Sequence, residues 1–290
     1  MTVFALALPS GADAARRSLK YKLAQDSVEN LTFEVEHVIA TSFDRLPPEA
    51  EPYDTDSLEE SLARVTVTAS GRIERVVGRV FRDSSLGLVT RVVDLEGTVD
   101  RGAGAAAVSL DGIEGKSVSM RVLESGELLA STGWEHVAGA QRGGDLILPV
   151  FLLSVLRLPF DVPASGGAIP IAFRQRVPLD PLLNLDQGWD LEYRAADAPK
   201  ECGRRCIALS YEGTATEVAE DNHPARPMKR ASTATVRGTI VLQSKGRVFS
   251  HEFVQEWTHA VSSHRENDTL RAGLTQSQTI TGRIAGEAVK

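Results

Sequence analysis

Residues Leu62–Ala69 read LARVTVTA, with Leu62, Arg64, Thr66 and Thr68 alternating with Ala63, Val65, Val67 and Ala69. A period of two with one apolar face marks a half-buried strand, because successive side chains of an extended backbone point to opposite faces. Ser70-Gly71 then reads as a turn and Arg72–Val80 as the return. The pattern spreads outward in both directions. Leu19–Leu23 and Leu31–Ala40 are strand-like before it, and Arg91–Val99 after it. Ser117–Val122 carries Val118, Met120 and Val122 on one face, meets the turn Glu124-Ser125-Gly126-Glu127 and returns through Leu128 and Leu129, a hairpin signal. Further on, Trp189–Arg194, Ile207–Glu212 and Ala234–Leu242 read as strands. Ser244–Arg247 is a turn, Val248 opens another strand, and Leu270–Ile284 closes the sheet. Phe249–His264 fits either a helical or a strand period.

Two stretches read as helix. Ser57-Leu-Glu-Glu60 matches a capping box. Asp145–Leu158, DLILPVFLLSVLRL, has Asp145 to cap it, Pro149 in the first turn and Pro159 to stop it. It is apolar nearly all round, and too short to span a bilayer. Two readings are open for it: a core helix or linker packed between sheets, or the lid or wall of an apolar ligand cavity. On the second reading the lining residues are Leu146, Leu148, Phe151, Leu152, Val155, Leu156 and Phe160.

Composition bounds the function. The 290 residues carry 32 Lys+Arg against 39 Asp+Glu, a net charge of −7, with 42% hydrophobic and 24% charged residues. These are values of a folded chain, and they exclude disorder, collagen, a coiled coil and a multi-span membrane protein. The sign of the charge argues against nucleic acid as a partner.

Met1–Ala15 reads MTVFALALPSGADAA. The apolar run Val3–Leu8, the breaker Pro9 and Ala12-x-Ala14 fit the core and cleavage regions of a secretory signal peptide, cut after Ala14. The basic leading region is absent, as in a remnant or in a tail. Cys202 and Cys206 are the two cysteines. In an exported chain this spacing favours a disulfide across a tight loop. A redox pair normally has two intervening residues, and a zinc site needs two more ligands, with His223 alone nearby in sequence.

The common catalytic signatures fail one by one. Gly102-Ala-Gly104-Ala-Ala-Ala107 fits G-x-G-x-x-A but runs into Val108-Ser-Leu110-Asp-Gly112, a strand and turn where a dinucleotide fold needs a helix. Gly115-Lys116-Ser117 ends like a phosphate loop, but Leu110 stands where that loop needs glycine. There is no G-x-S-x-G. His251-Glu252 opens like H-E-x-x-H, but Gln255 occupies the last position. A metal site built from His251, Glu252 or Glu256, and His259 is the weak candidate that remains. Trp134, Trp189 and Trp257 read as core anchors, with sugar stacking as the alternative. No cofactor is expected.

Gly115–Val137 and Gly238–Val261 share a glycine, an apolar strand, a turn and a Trp-x-His, at Trp134-Glu-His136 and Trp257-Thr-His259. Leu19-Lys-Tyr21-Lys and Leu191-Glu-Tyr193-Arg add a second pair, as in a duplication. With Leu128 after the hairpin turn, Leu158-Pro159, Gly188-Trp189 with Leu191 and Tyr193, and Gly238–Val248, the layout over Leu19–Val261 resembles a broad group of uncharacterised bacterial envelope proteins, many of them lipoproteins. The resemblance implies two β-rich units, an apolar linker and no activity to transfer. The lipobox cysteine of such lipoproteins is missing here.

The expectation is a mainly β chain of two related antiparallel units, sandwiches or half-barrels, with a short apolar helix between them. Residues 1–15 form a signal remnant or tail, 16–144 and 164–290 the units, and 145–163 the linker. The expected function leans away from catalysis: a periplasmic, outer-envelope or secreted protein binding a hydrophobic ligand or an envelope protein partner. The alternatives are an assembly component, or a hydrolase or metal-dependent enzyme with dispersed site residues.

Overall fold

The computed structural model describes residues 19–45, 64–108, 112–138, 144–162, 166–179, 183–203, 206–221, 228–263 and 273–286. The expected signal segment, the capping box at 57–60 and Leu270 lie outside them. The first half contributes β1 (Val28–Arg45), β2 (Val65–Val80), β3 (Leu86–Asp100), β4 (Ala105–Ala107), β5 (Ser117–Val122) and β6 (Leu128–Thr132). Two short helices follow, α1 (Trp134–Ala138) and α2 (Gly144–Leu153). The second half adds β7 (Ala168–Pro178), β8 (Leu183–Ala196), β9 (Ile207–Asp221), β10 (Met228–Leu242), β11 (Val248–Ser263) and β12 (Gly273–Gly286).

The mainly β expectation holds, with a different architecture. All strands belong to one antiparallel sheet in the order β6-β5-β3-β2-β1-β12-β11-β10-β9-β8-β7, with β4 on β3, rolled into a nearly closed barrel. The expected pair of sandwiches or half-barrels is replaced by this single sheet. Its two halves join where β1 meets β12, from Leu31↔Gly286 to Arg45↔Gly273. The two Trp-x-His stretches differ in structure: Trp134-Glu-His136 lies in α1, whereas Trp257-Thr-His259 lies in β11.

The Ser70-Gly71 turn is also corrected. β2 runs straight through it, beside a bulge between Arg72 and Ile73. A Cβ at Gly71 would overlap the backbone carbonyl of Asp94, so glycine serves close strand approach here, not reversal. Phe249–His264 resolves as strand within β11. Leu19–Leu23 forms no strand, although Leu19, Tyr21 and Leu23 are buried.

Alternation sorts the two faces. Inward lie Leu31, Phe33, Ile73, Val77, Leu88, Val92, Val118, Leu191, Tyr193, Ile240 and Ile284, all buried. Outward at mid-strand lie Glu34, Glu36, Arg194, Glu212, Arg237, Glu252 and Arg283. A bilayer-spanning barrel needs an apolar band at that level, so this sheet is apolar inside and charged outside, the reverse arrangement. Among the described residues no helix is long and apolar enough to cross a membrane.

Helix α2 runs inside the sheet. It enters from the end holding the last residues of β1, β9 and β11, and leaves towards the opposite end. That opposite end is stoppered by the segment after Leu19. The Tyr21 N–H donates to Glu124 O at 2.8 Å, Lys22 N–H to Lys245 O at 2.8 Å and Leu19 N–H to Phe160 O at 3.0 Å. The helix is shorter than expected, ending at Leu153, and because it starts at Gly144 rather than after Asp145, Pro149 falls in its second turn rather than its first.

Candidate functional site

The C-terminal end of α2 leaves backbone carbonyls without helical partners, as any helix does. The last of them, Leu153 O, and three carbonyls of the segment that follows are taken up by four buried side chains from four parts of the chain. His251 Nδ1 donates to Leu153 O at 3.0 Å, and its Nε2 accepts from the Tyr211 hydroxyl at 2.9 Å. Arg75 Nη1 donates to Ser154 O at 2.6 Å, while its Nε and Nη2 hold Glu29 Oε2 at 2.9 and 2.7 Å. The Tyr21 hydroxyl donates to Leu156 O at 3.0 Å and the Tyr193 hydroxyl to Arg157 O at 2.6 Å. Burial sets the protonation states. It pushes His251 down to about 4, opposed by the bond to Leu153, and raises the Tyr21, Tyr193 and Tyr211 phenols. This end of the helix is fixed.

The N-terminal end of α2 is set differently. Leu148, Pro149, Leu152 and Leu153 face a chamber of about 70 Å³, closed on the sheet side by His37, Gln187, Trp189, Glu217, Gln255, Trp257, His259, Gln278 and Ile280. Here the inward positions of the strands turn from aliphatic to polar. His37 Nε2 pairs with Gln278 Oε1 at 2.8 Å, and Gln278 Nε2 donates to Gln276 Oε1 at 2.5 Å. Gln175 Nε2 donates to Gln187 Oε1 at 2.8 Å, and Gln187 Nε2 to Glu217 Oε2 at 3.0 Å. The Trp257 indole N–H donates to Gln255 Oε1 at 2.9 Å, and Ser232 Oγ meets His259 Nδ1 at 2.6 Å. Trp257 stacks on His259 and Trp189 on Phe173, with centroids 5.8 and 6.0 Å apart. The Trp189 indole N–H is buried and has no hydrogen-bond partner among the described residues. A buried donor without a partner is expensive, and the Trp134 indole N–H, away from the chamber, is in the same state among the described residues.

The structure disperses the expected cavity residues. Leu148 and Leu152 line the chamber. Phe151, Val155 and Leu156 are packed in the core, with Phe151 edge-on to Trp134 at 6.0 Å. Phe160 is 73% exposed. The side chain of Leu146 lies outside what is described. Of the metal candidates, His251 and His259 share the inward face but stand eight residues apart on β11, roughly 26 Å at strand rise. Glu256 faces outward, bonded to Thr235 at 3.0 Å. Strand geometry therefore does not bring the three together, and no group of three or more metal-ligating side chains forms among the described residues. Cys202 and Cys206 are bonded to each other, as their spacing suggested.

Sequence reasoning missed the polar belt. Its glutamines occupy inward positions on separate strands, and no local spacing links them. One local signal existed: Gln255-x-Trp257-x-His259 on one face of one strand. A larger concavity of about 960 Å³ crosses the outer face between two rows of outward side chains. It is a furrow over strand backbone with a charged rim, open to solvent, and holds none of the belt.

Fold and site together define a β-barrel with a helix clamped inside it and a polar chamber at one end. No protein-family model matches the sequence, and no curated protein matches it. Among solved structures the chain is similar to lipovitellin, described for its lipid–protein interactions, at 8% identity and a TM-score of 0.49, covering 92% of this chain. The chain spans 26% of that one. It is also similar to DynF of the dynemicin pathway of Micromonospora chersina, at 8% identity and a TM-score of 0.21, covering 93% and 85% of the two chains. The OccAB4 structure of Acinetobacter baumannii gives 7% identity and a TM-score of 0.22, covering 90% and 99%.

Proposed function

We propose that this chain is a non-enzymatic binding protein of the bacterial envelope, exported by the segment ending at Ala14, which takes a hydrophobic or amphiphilic ligand between α2 and the barrel wall. One observation carries the reading: the chamber where apolar Leu148, Pro149 and Leu152 face a belt of amides, imidazoles and indoles inside the sheet. A pocket with mostly apolar walls and a few placed polar groups is the usual form of a small-molecule site. The bonded cysteine pair supports an oxidising compartment. Residues 16–144 and 164–290 act as the two halves of one container, with 145–163 as its internal strut.

Native against denaturing mass spectrometry of protein purified from its own host tests this. Extra mass lost on denaturation is the expected result, and a bare mass overturns it.

A second reading, docking to another envelope protein, has one observation behind it. Val28, Val76 and Val89 are direct cross-strand neighbours on the outer face, with Val28 and Val89 exposed.

A further inference from the structure

We infer that the chamber receives the uncharged, hydroxyl-bearing head group of an amphiphile, of about the size of a glycerol moiety. The inference rests on the binding reading above and specifies its ligand.

Size comes first. A chamber of about 70 Å³ has room for a small group, more than one water and far less than a drug-sized ligand in a pocket of about 300–1,000 Å³. That suits one head group, not a fatty chain or a whole sugar. The tail must then leave along the apolar side, past Leu148, Pro149 and Leu152.

Charge comes second. Among the described residues, those lining the chamber include one carboxylate, Glu217, two imidazoles, His37 and His259, and no lysine or arginine. A carboxylate or phosphate head would be buried beside Glu217 with no lysine or arginine of the chamber wall to offset the two negative charges, an arrangement costing several kcal/mol in general. Hydroxyls face no such penalty. They donate to carboxylate and amide oxygens and accept from amide and indole N–H groups. Glu217, Gln187, Gln255 and Gln278 supply those oxygens and amide groups.

The third observation is the Trp189 indole N–H, of a residue 5% exposed that lines this chamber, without an acceptor among the described residues. It lacks an oxygen, and a hydroxyl supplies one. Trp257, which also lines the chamber, already donates to Gln255.

The test titrates the full chain at pH 8 by calorimetry with 1-decanoylglycerol and with decanoate, each below its micellar range. The neutral ester is expected to bind at least tenfold more tightly. Trp189→Phe keeps the stack on Phe173 but removes the donor, and is expected to weaken the ester about fivefold or more while far-UV circular dichroism stays unchanged. Glu217→Gln removes the charge without changing shape, and is expected to narrow the preference over decanoate. Decanoate binding as well as the ester, or a Trp189→Phe variant with full ester affinity, would overturn the head-group inference and leave the binding reading standing. Binding of neither probe also overturns it, and the binding reading falls with it when the native mass is bare.

Discussion

His251 uses both ring nitrogens, one as donor to the helix and one as acceptor from Tyr211, and so is held as one neutral tautomer. Protonation would add a second donor where the Tyr211 hydroxyl already donates, inside the core. With the folded value near 4 and the ordinary value at 6.5, the unfolded chain binds the extra proton first as pH falls. The stability tied to neutral His251 is therefore fully present above about pH 6.5 and is lost between 6.5 and 4, by about 3 kcal/mol in total. Urea midpoints at pH 7 and pH 4.5 should show this fall in the wild type. His251→Gln should be less stable at pH 7 and should lose the part of the slope due to this proton. An unchanged slope in the variant would assign the proton uptake to another group.

At the scale of the element, α2 is a short apolar helix with a proline inside it, and such a segment has little stability alone in water. It is held in place because the barrel takes up Leu153 O and the carbonyls of the segment that follows it. Arg75 is the strongest of those anchors, fully buried and shared between Ser154 O and the Glu29 carboxylate. Removing one partner of a buried pair leaves an uncompensated charge, so Arg75→Met should destabilise the fold by about 3–5 kcal/mol. Replacing Glu29 and Arg75 together by apolar residues should cost less than that single change. A thermal or urea melt of the single and double variants checks the order. Gly126 serves the same region: its positive φ and missing Cβ let the carbonyl of Leu156 pass where any side chain would overlap it. Both ends of α2 thus have tasks set by their surroundings, one fixed and one facing the chamber.

At the scale of the molecule, the ladder between β1 and β12 joins residues more than two hundred positions apart, and the helix threads the interior they enclose. Neither half then owns a complete core. Segments 16–144 and 164–290, expressed separately, should fail to give dispersed amide spectra, and the whole chain should unfold in one transition by far-UV and near-UV signals. Separate folding of either segment would restore the two-unit organisation. The disulfide closes only the loop between β8 and β9, so reduction should leave this cooperativity intact.

The strands were legible because alternation is a local property. Leu62–Ala69, Ser117–Leu129 and Ala234–Leu242 each show their faces in a few residues. The cysteine pair was legible from its spacing, and the apolar segment around Pro149 from its composition. Gly71 was misread because a glycine that ends a strand and one that admits a neighbouring backbone look alike in sequence. Whether Trp-x-His sits on a helix or a strand was likewise decided by packing, with Trp134 and Trp257 taking opposite answers. The belt of His37, Gln187, Glu217, Gln255, His259 and Gln278 is drawn from five strands, and each polar residue alone reads as an ordinary interruption of an apolar face. The sequence by itself therefore determined which residues extend, which face is wet and where the apolar helix lies, since these follow from the period of the chain. Only the tertiary structure decided that one sheet closes around that helix and gathers the polar belt at its far end, because strand pairing and barrel closure depend on partners far away in the chain.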